Sequence, residues 1–336
     1  MHLARFPRIR LGHTPTPLEG MPRLTALLGG PTLYVKRDDC TGLATGGNKT
    51  RKLEFLMADA LAQGADTVIT QGAVQSNHVR QTAAAACRLG LKIEILLERR
   101  VPDRAADYET TGNVFLDRLF GARIDFRPAG ADMGQACDER AAEVRAAGGK
   151  PYVIPGGGSN RIGALGYVAC ALELLTQANE AGLRIDYVVH GTGSAGTQAG
   201  LVAGLEGCNS GIAVYGVSVR QPREKQIDVV HRLAAETADL IGVRQGIARE
   251  SVEVTSDYVG SGYGQPTDSM VEAVGLAARH EGLLLDPVYS GKGMAGLIGL
   301  IKDGTFTADQ NVVFLHTGGS AALFAYERDL LSRETS

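Results

Sequence analysis

The sequence predicts an α/β protein built on parallel sheets, and three observations carry that expectation. Short apolar strand patterns alternate with helical patterns along most of the chain; the many glycines (44 of them) gather in loops that follow predicted strands; and no repeat, charge block or low-complexity tract interrupts the alternation. At 336 residues the chain is long enough for two domains or one large α/β unit with an ample core. Its 44% hydrophobic and 21% charged content is ordinary for a soluble globular protein.

The elements follow in order. Leu33-Tyr34-Val35-Lys36 reads as a strand. After a glycine-containing loop, Leu53, Leu56, Met57, Ala60 and Leu61 recur at i, i+3, i+4, i+7 and i+8, the stripe of an amphipathic helix. Thr67 to Thr70 is a strand, followed by Gln75-Ser76-Asn77-His78 and an alanine-rich helix that runs to Leu89 and is ended by Gly90. Lys92 to Leu97, Ala122 to Phe126 and Tyr152 to Ile154 are further strands; Tyr187 to Val189, Ala213 to Val219 and Val312 to Leu315 complete the set. The run Gly156-Gly157-Gly158-Ser159-Asn160 divides the chain near its middle and is the expected hinge.

Charge and cysteine usage narrow the function classes. A formal net charge of -3 gives no electrostatic footprint for nucleic acid or an anionic membrane. The five cysteines (Cys40, Cys87, Cys137, Cys170 and Cys208) are odd in number and far apart, with no CxxC pair. That pattern predicts reduced thiols in a cytoplasm, and neither a disulfide framework nor a zinc site. Cys40 reads as a small buried hydrophobe. Arg5, Arg8 and Arg10 break up residues 1–11, so no signal peptide is expected there.

The most informative stretch is Thr45-Gly46-Gly47-Asn48-Lys49-Thr50-Arg51-Lys52. With Asn48 as N-cap, Lys49, Arg51 and Lys52 crowd a first helical turn whose free N–H groups already favour anions. Cations so placed lower one another's pKa, and a lysine with a lowered pKa suits Schiff-base chemistry with a carbonyl. The two glycines would let the backbone approach a flat ligand. A solvated lysine on an ordinary helix is the plain alternative.

A second signal is Gly191-Thr192-Gly193-Ser194-Ala195-Gly196-Thr197, which follows a strand and opens a helix of small residues through Leu205, the geometry of an anion cup. It matches GxGxxG, but Arg220, not an acidic residue, follows the next strand, which would suit only a 2′-phosphate. The hydroxyls of Thr192, Ser194 and Thr197 fit a terminal phosphate monoester better. The third signal, His316-Thr317-Gly318-Gly319-Ser320, again follows an apolar strand; Thr317 there would offer a neutral hydroxyl to a heteroaromatic nitrogen. Tyr263 and Tyr289 sit among glycine and turn residues, where a tyrosine serves either as an exposed acid or in packing.

Together Lys36-Arg37-Asp38-Asp39, Gly46-Gly47-Asn48-Lys49, Gln75-Ser76-Asn77-His78, Asp286-Pro287-Val288-Tyr289 and His316-Thr317-Gly318-Gly319 resemble the fold-type II pyridoxal-phosphate enzymes. Within that fold type the chain is similar to the group of D-cysteine desulfhydrase, 1-aminocyclopropane-1-carboxylate (ACC) deaminase and L-cysteate sulfo-lyase, over nearly its whole length. The resemblance implies two open, mostly parallel twisted sheets with flanking helices, as in the tryptophan synthase β-subunit. It implies a large cofactor domain of residues 1–50 and 161–336 and a small domain, 51–160, that closes over the substrate. It also implies that Lys49 carries pyridoxal 5′-phosphate, that Gly193, Ser194, Ala195, Gly196 and Thr197 hold its phosphate, and that Asn77 and Thr317 meet its ring oxygen and ring nitrogen. Ser76, Asn77 and His78 would cradle the substrate carboxylate, with Tyr263 and Tyr289 as acid/base residues and no metal.

ACC deaminases carry Glu directly after the tyrosine matching Tyr289, where this chain has Ser290. The tract Arg37 to Leu43, the run Pro155 to Asn160 and Gly318 to Ala322 look closest to the L-cysteate sulfo-lyases. The expectation is therefore β-elimination of L-cysteate to pyruvate, ammonia and sulfite, with D-cysteine desulfhydration as the alternative. Ser290, Arg220 and the Thr41-Gly42 backbone are the candidate sulfonate donors. An NADP-dependent oxidoreductase would leave Gly47-Asn48-Lys49 unexplained, and a non-catalytic binding module would have no need of the lysine and both tyrosines. A small amino-acid substrate, a homodimer and a cytoplasmic location complete the expectation.

Overall fold

A computed structural model describes residues 2–331; Met1, the first residue of the arginine-broken N-terminal stretch, lies outside them. The elements are β1 (Leu18–Gly20), α1 (Pro22–Leu28), β2 (Thr32–Lys36), α2 (Lys49–Ala62), β3 (Thr67–Ala73), α3 (Asn77–Arg88), β4 (Lys92–Glu98) and α4 (Gly112–Leu119). They continue with β5 (Arg123–Arg127), α5 (Met133–Ala146), β6 (Pro151–Ile154), α6 (Arg161–Ala181), β7 (Tyr187–Thr192), α7 (Gly196–Gly207) and β8 (Ala213–Ser218). The last are α8 (Arg223–Ile241), β9 (Glu253–Thr255), α9 (Asp268–Glu281), α10 (Ser290–Lys302), β10 (Asn311–Leu315) and α11 (Glu327–Leu331).

The strands form two sheets, ordered β1-β2-β10-β7-β8-β9 and β5-β4-β3-β6. Every pairing is parallel except β1 with β2. The expected α/β class with two mostly parallel sheets is what the chain adopts. In the larger sheet Val189, Val312 and Phe314 pack with Met294, Leu297 and Ile301 of α10. Their neighbours Val188, Val313 and Leu315 pack on the opposite face with Tyr167, Leu201 and Val202 of α6 and α7. Because successive side chains point to opposite faces, a sheet covered on both must be apolar at every position, which is why these strands read as unbroken apolar runs. The smaller sheet repeats the pattern: Val68, Ile93 and Ile95 face α2 and α3, whereas Ile69 and Leu96 face Met133 and Ala136 of α5.

The predicted stripe of α2 is buried at Leu53, Leu56, Met57 and Ala60, but Leu61 is 40% exposed at the helix end. Cys40 is exposed, against expectation, in a short 3-10 turn beside Asp39. No helix among the described residues is long and apolar enough to cross a membrane.

Loops leaving the carboxyl ends of β3, β4, β6, β7, β8 and β10 converge on one cleft, which they line with Ser76 and Asn77, Arg100, Gly156 and Ser159, Gly193 and Ser194, Arg220, and Thr317. Ligands of open α/β sheets sit beyond this end of the strands, and here two sheets supply it from both sides.

Candidate active site

The cleft encloses about 290 Å³. Lys49 lies on its wall, at the first position of α2, and is anchored by the loop before it. Gly46 (φ 73°) and Gly47 (φ 130°) occupy backbone regions that side chains avoid. Protein atoms crowd them: a Cβ on Gly46 would lie 1.8 Å from the Asp39 carbonyl oxygen, and one on Gly47 would lie 2.5 Å from Gln81 Nε2. Beneath the loop, Arg51 donates through Nε and Nη2 to both carboxylate oxygens of Asp38 (2.8 Å each) and through Nη1 to Glu173 (3.0 Å), while Lys36 pairs with Glu173 at 2.5 Å. Asp38 in turn accepts from the Tyr167 hydroxyl, and its backbone carbonyl accepts from Gly47 N–H. Arg51 therefore braces the loop from below and does not crowd Lys49.

Two sequence expectations about α2 change accordingly. Asn48 stands at the N-cap position but its side chain caps nothing; its amide donates to Thr197 Oγ1 at 3.0 Å, joining the lysine loop to the cup. The Lys49 amine is lowered to about 8, chiefly by burial; a hydrogen bond to Lys52 and the charge of Asp286 oppose the fall. Lys52 is pushed down as well, by burial and then by Lys49. Of the expected three-cation crowd, only Lys52 is a neighbour of Lys49. Lys52 donates to Gly157 O (3.1 Å) behind the cup.

The cup lies between β7 and α7. Ala195 has φ 73°, a strained setting for a residue with a Cβ, and it turns the chain into the α7 N-terminus. Ser194 accepts from Ser159 at 2.9 Å, and a Cβ on Gly196 would lie 2.9 Å from Lys52 Nζ. Thr192 does not join the cup: it is buried and accepts from Gln226 at 3.2 Å, because the strand extends two residues beyond His190 and turns that hydroxyl inward. Free N–H groups, small residues and nearby amines make a cradle that fits a phosphate monoester.

Across the cleft, Ser76 caps α3 by accepting from Val79 N–H (3.2 Å), which presents Asn77 and His78 at a helix N-terminus. His78 is buried and its pKa falls, first through burial and then through Lys49 and Lys52, so it is neutral. Thr70 donates to Ile154 O at 2.9 Å, so His78 Nε2, 2.8 Å from the Thr70 hydroxyl, carries the ring proton. Thr317 lines the cleft, and its hydroxyl has no protein partner among the described residues. Its backbone carbonyl accepts from Asn48 N–H.

Tyr263 and Tyr289 stand edge to face with centroids 5.9 Å apart. Burial raises both phenols, and the charge of Arg100 opposes the rise at each. Arg220 opposes the rise at Tyr289 as well.

Ser290 does not reach the cleft. It is fully buried and its hydroxyl is taken by Asp286, donating to Oδ1 at 2.8 Å and accepting from the Asp286 N–H at 2.7 Å. Thr41 and Gly42 are also outside the lining: the Thr41 hydroxyl bonds the Gly47 backbone, and Gly42 packs on His13. Arg220 does line the cleft. The sequence reading missed Arg100, whose Nε is held by Glu98 and whose guanidinium lies 5.9 Å over the Tyr263 ring. It also missed Asp286, a buried carboxylate that accepts from the backbone of Val288, Tyr289 and Ser290 and from Asn77 Nδ2. The glycine- and proline-free tract Glu98-Arg99-Arg100 carried no signal for the first; the quoted Asp286-Pro287-Val288-Tyr289 motif contained the second.

Comparison with known proteins agrees with this geometry. A family model described as pyridoxal-phosphate dependent enzyme matches residues 9–318. D-cysteine desulfhydrases from Salmonella typhi and Salmonella newport are each 48% identical over 325 residues, covering 97% of this chain and 98% of theirs. The crystal structure of an ACC deaminase homologue superposes with a TM-score of 0.90 at 38% identity, over 99% of both chains. A hydrogen sulfide-producing enzyme from Fusobacterium nucleatum shares the fold at a TM-score of 0.64 and 17% identity, over 91% of this chain and 95% of that one.

Proposed function

The chain belongs to the pyridoxal-phosphate-dependent enzymes, in the fold-type II group, and from that membership we propose that it eliminates the sulfur substituent from the β-carbon of a cysteine-class amino acid. It is a carbon–sulfur lyase by kinship with the desulfhydrases. The observation that carries the proposal is Lys49: a buried amine at about 8, on the wall of a cleft that also holds a phosphate cradle and a coupled tyrosine pair.

In this reading Lys49 holds pyridoxal phosphate, Gly193 to Thr197 hold its phosphate, Asn77 takes its ring oxygen and Thr317 its ring nitrogen. The cofactor supplies an electron sink for the pair left when the Cα–H bond breaks. Ser76, Asn77 and His78 receive the substrate carboxylate at the α3 N-terminus. Lys49 or a tyrosine would take the Cα proton. The Cβ–S bond then breaks with its electrons leaving on sulfur, and Tyr289, packed edge to face with Tyr263, supplies the proton needed there. Water converts the resulting enamine to pyruvate and ammonia.

For the substrate, the names of the Salmonella relatives support D-cysteine, with sulfide as the third product. A second reading, L-cysteate with sulfite as product, is favoured by Arg100 and Arg220. The cup and Lys52 balance the cofactor phosphate and the α3 N-terminus balances the substrate carboxylate, yet two guanidiniums still line the cleft beside Tyr289. The terminal nitrogens of both have no protein acceptor among the described residues, and a sulfonate offers three oxygens for paired N–H bonds. Comparison of kcat/KM for D-cysteine, L-cysteine, L-cysteate and the cyclopropane amino acid, with pyruvate, sulfide and sulfite measured separately, tests both readings. No pyruvate from any of them overturns the lyase proposal.

The division into residues 1–50 with 161–336 and 51–160 is part of the same proposal, supported by the confinement of the four-stranded sheet to residues 67–154. So are a homodimer, supported by exposed Phe115, Leu119 and Phe324, and a cytoplasmic location, supported by five unpaired cysteines.

A further inference from the structure

Lys292 is buried to 0% exposure on the first turn of α10, three residues after Tyr289. Among the described residues it has no carboxylate partner. Its Nζ donates instead to two backbone carbonyls, Val259 at 2.6 Å and Gly262 at 3.0 Å. A buried ammonium without an acid is costly, and its pKa falls to about 8 through burial alone. A charge placed there at that cost must hold something in place.

What it holds is the loop that carries Tyr263. The carbonyl before that tyrosine, on Gly262, goes to Lys292; the carbonyl after it, on Gly264, accepts from Arg104 (3.0 Å) and from the Tyr326 hydroxyl (2.9 Å). Gly262 (φ 155°) and Gly264 (φ 71°) both lie in backbone regions open mainly to glycine, so this loop has unusual freedom unless its carbonyls are tied. The far end of the tie is α10, whose N-cap residue is Tyr289. Lys292 thus cross-links the two segments that present the tyrosine pair.

We propose that Lys292 is a positioning residue: its ammonium clamps the Tyr263 loop to the first turn of α10 and so sets the edge-to-face contact between the Tyr263 and Tyr289 rings. This rests on the reading that the tyrosine pair handles substrate protons. A lysine suits the task because it has three donors at one point and no acceptor, matching carbonyls that converge from different directions.

The test is a double-mutant cycle on the cofactor-loaded enzyme with Lys292→Met and Tyr263→Phe. Misplacing a group by about 1 Å costs on the order of 10²-fold in rate. Lys292→Met is expected to lower kcat by that order, with KM and the absorbance of the bound cofactor little changed. It is expected to lower kcat no further in the Tyr263→Phe background. An equal fold-loss in both backgrounds, or an unchanged kcat, overturns the proposal. If Lys292→Met does not fold, Lys292→Gln, whose amide is one bond shorter and can reach only one of the two carbonyls, goes through the same cycle: a smaller loss of kcat that vanishes in the Tyr263→Phe background supports the proposal, and no loss or an equal loss in both backgrounds overturns it. Failure of the underlying reading is separate: it appears as full activity in Tyr263→Phe alone.

Discussion

The side-chain amide of Asn113 donates to Oδ1 of Asn77 at 3.1 Å, so the orientation of a cleft residue is fixed from outside the cleft. Arg80 donates to Asn113 Oδ1 at 3.0 Å, and a guanidinium cannot accept, so the Asn113 nitrogen has to face Asn77. Asn77 must then present its own nitrogen to Asp286 and the cleft. Arg80 also donates to Gly46 O at 2.7 Å, which ties this chain of forced orientations to the lysine loop.

Asn113→Asp puts an acceptor where Asn77 needs a donor. The loss of one such bond is worth about 0.5–1.5 kcal/mol, and more where a buried acceptor is left unsatisfied. Pyridoxal phosphate is expected to bind about two- to tenfold or more weakly, with a shifted absorbance maximum; titration of the apoenzyme followed by its spectrum measures both. An unchanged spectrum and affinity would remove Asn77 from the ring-oxygen role.

Thr197→Ala and Ser194→Ala are expected to weaken cofactor retention more than turnover at saturating cofactor. Each removes one hydrogen bond to a charged group, of order 1.5–3 kcal/mol, and the backbone N–H groups of the cup remain. Thr197→Ala should be the more harmful, since it also strands the Asn48 amide. Activity that added pyridoxal phosphate never restores would mean the cup lies elsewhere.

Tyr289→Phe should lower kcat by about 10²–10⁴-fold while barely moving KM, because a lost proton donor acts mainly in the transition state. Steady-state kinetics decide this, and an unchanged kcat would return Tyr289 to a packing role.

Stability in acid should follow Glu173. Burial disfavours its charge, but Arg51 and Lys36 outweigh burial and hold the carboxyl at about 2. A folded pKa depressed below the unfolded value stabilises above about 4.5, and that stability is lost as the pH falls toward 2. Glu173→Gln is expected to flatten this fall in urea denaturation between pH 5 and pH 2, measured under cofactor-free conditions. The size is up to about 3 kcal/mol, less solvent screening of a carboxylate that is partly exposed. A wild-type slope in Glu173→Gln would assign the acid sensitivity to another group.

The strands were legible in the sequence wherever both faces are covered, because Tyr187 to Val189 and Val312 to Leu315 must be apolar throughout. β1 and β9 went unread: three residues at a sheet edge are too few to show a period. That the Lys49 loop and the Gly193 to Thr197 loop follow strands and open helices was legible because glycines and lysines in fixed order leave few alternatives. Ser290 was misplaced because a sequence shows a hydroxyl but not whether a buried carboxylate has already taken it, as Asp286 has. Arg100, Asp286 and Lys292 were passed over for a related reason. What singles them out is burial and the partner each lacks or holds, and those are properties of the tertiary structure.

In the proposed lyase Lys49, and not its neighbour Lys52, carries the cofactor. Borohydride reduction of the loaded enzyme followed by peptide mass mapping tests it most directly, alongside pyruvate release by Lys49→Ala and Lys52→Ala. Reduced pyridoxal phosphate is expected on Lys49 alone, with no pyruvate from Lys49→Ala and a retained covalent adduct in Lys52→Ala. A label on Lys52, or pyruvate release at the wild-type rate by Lys49→Ala, would contradict it.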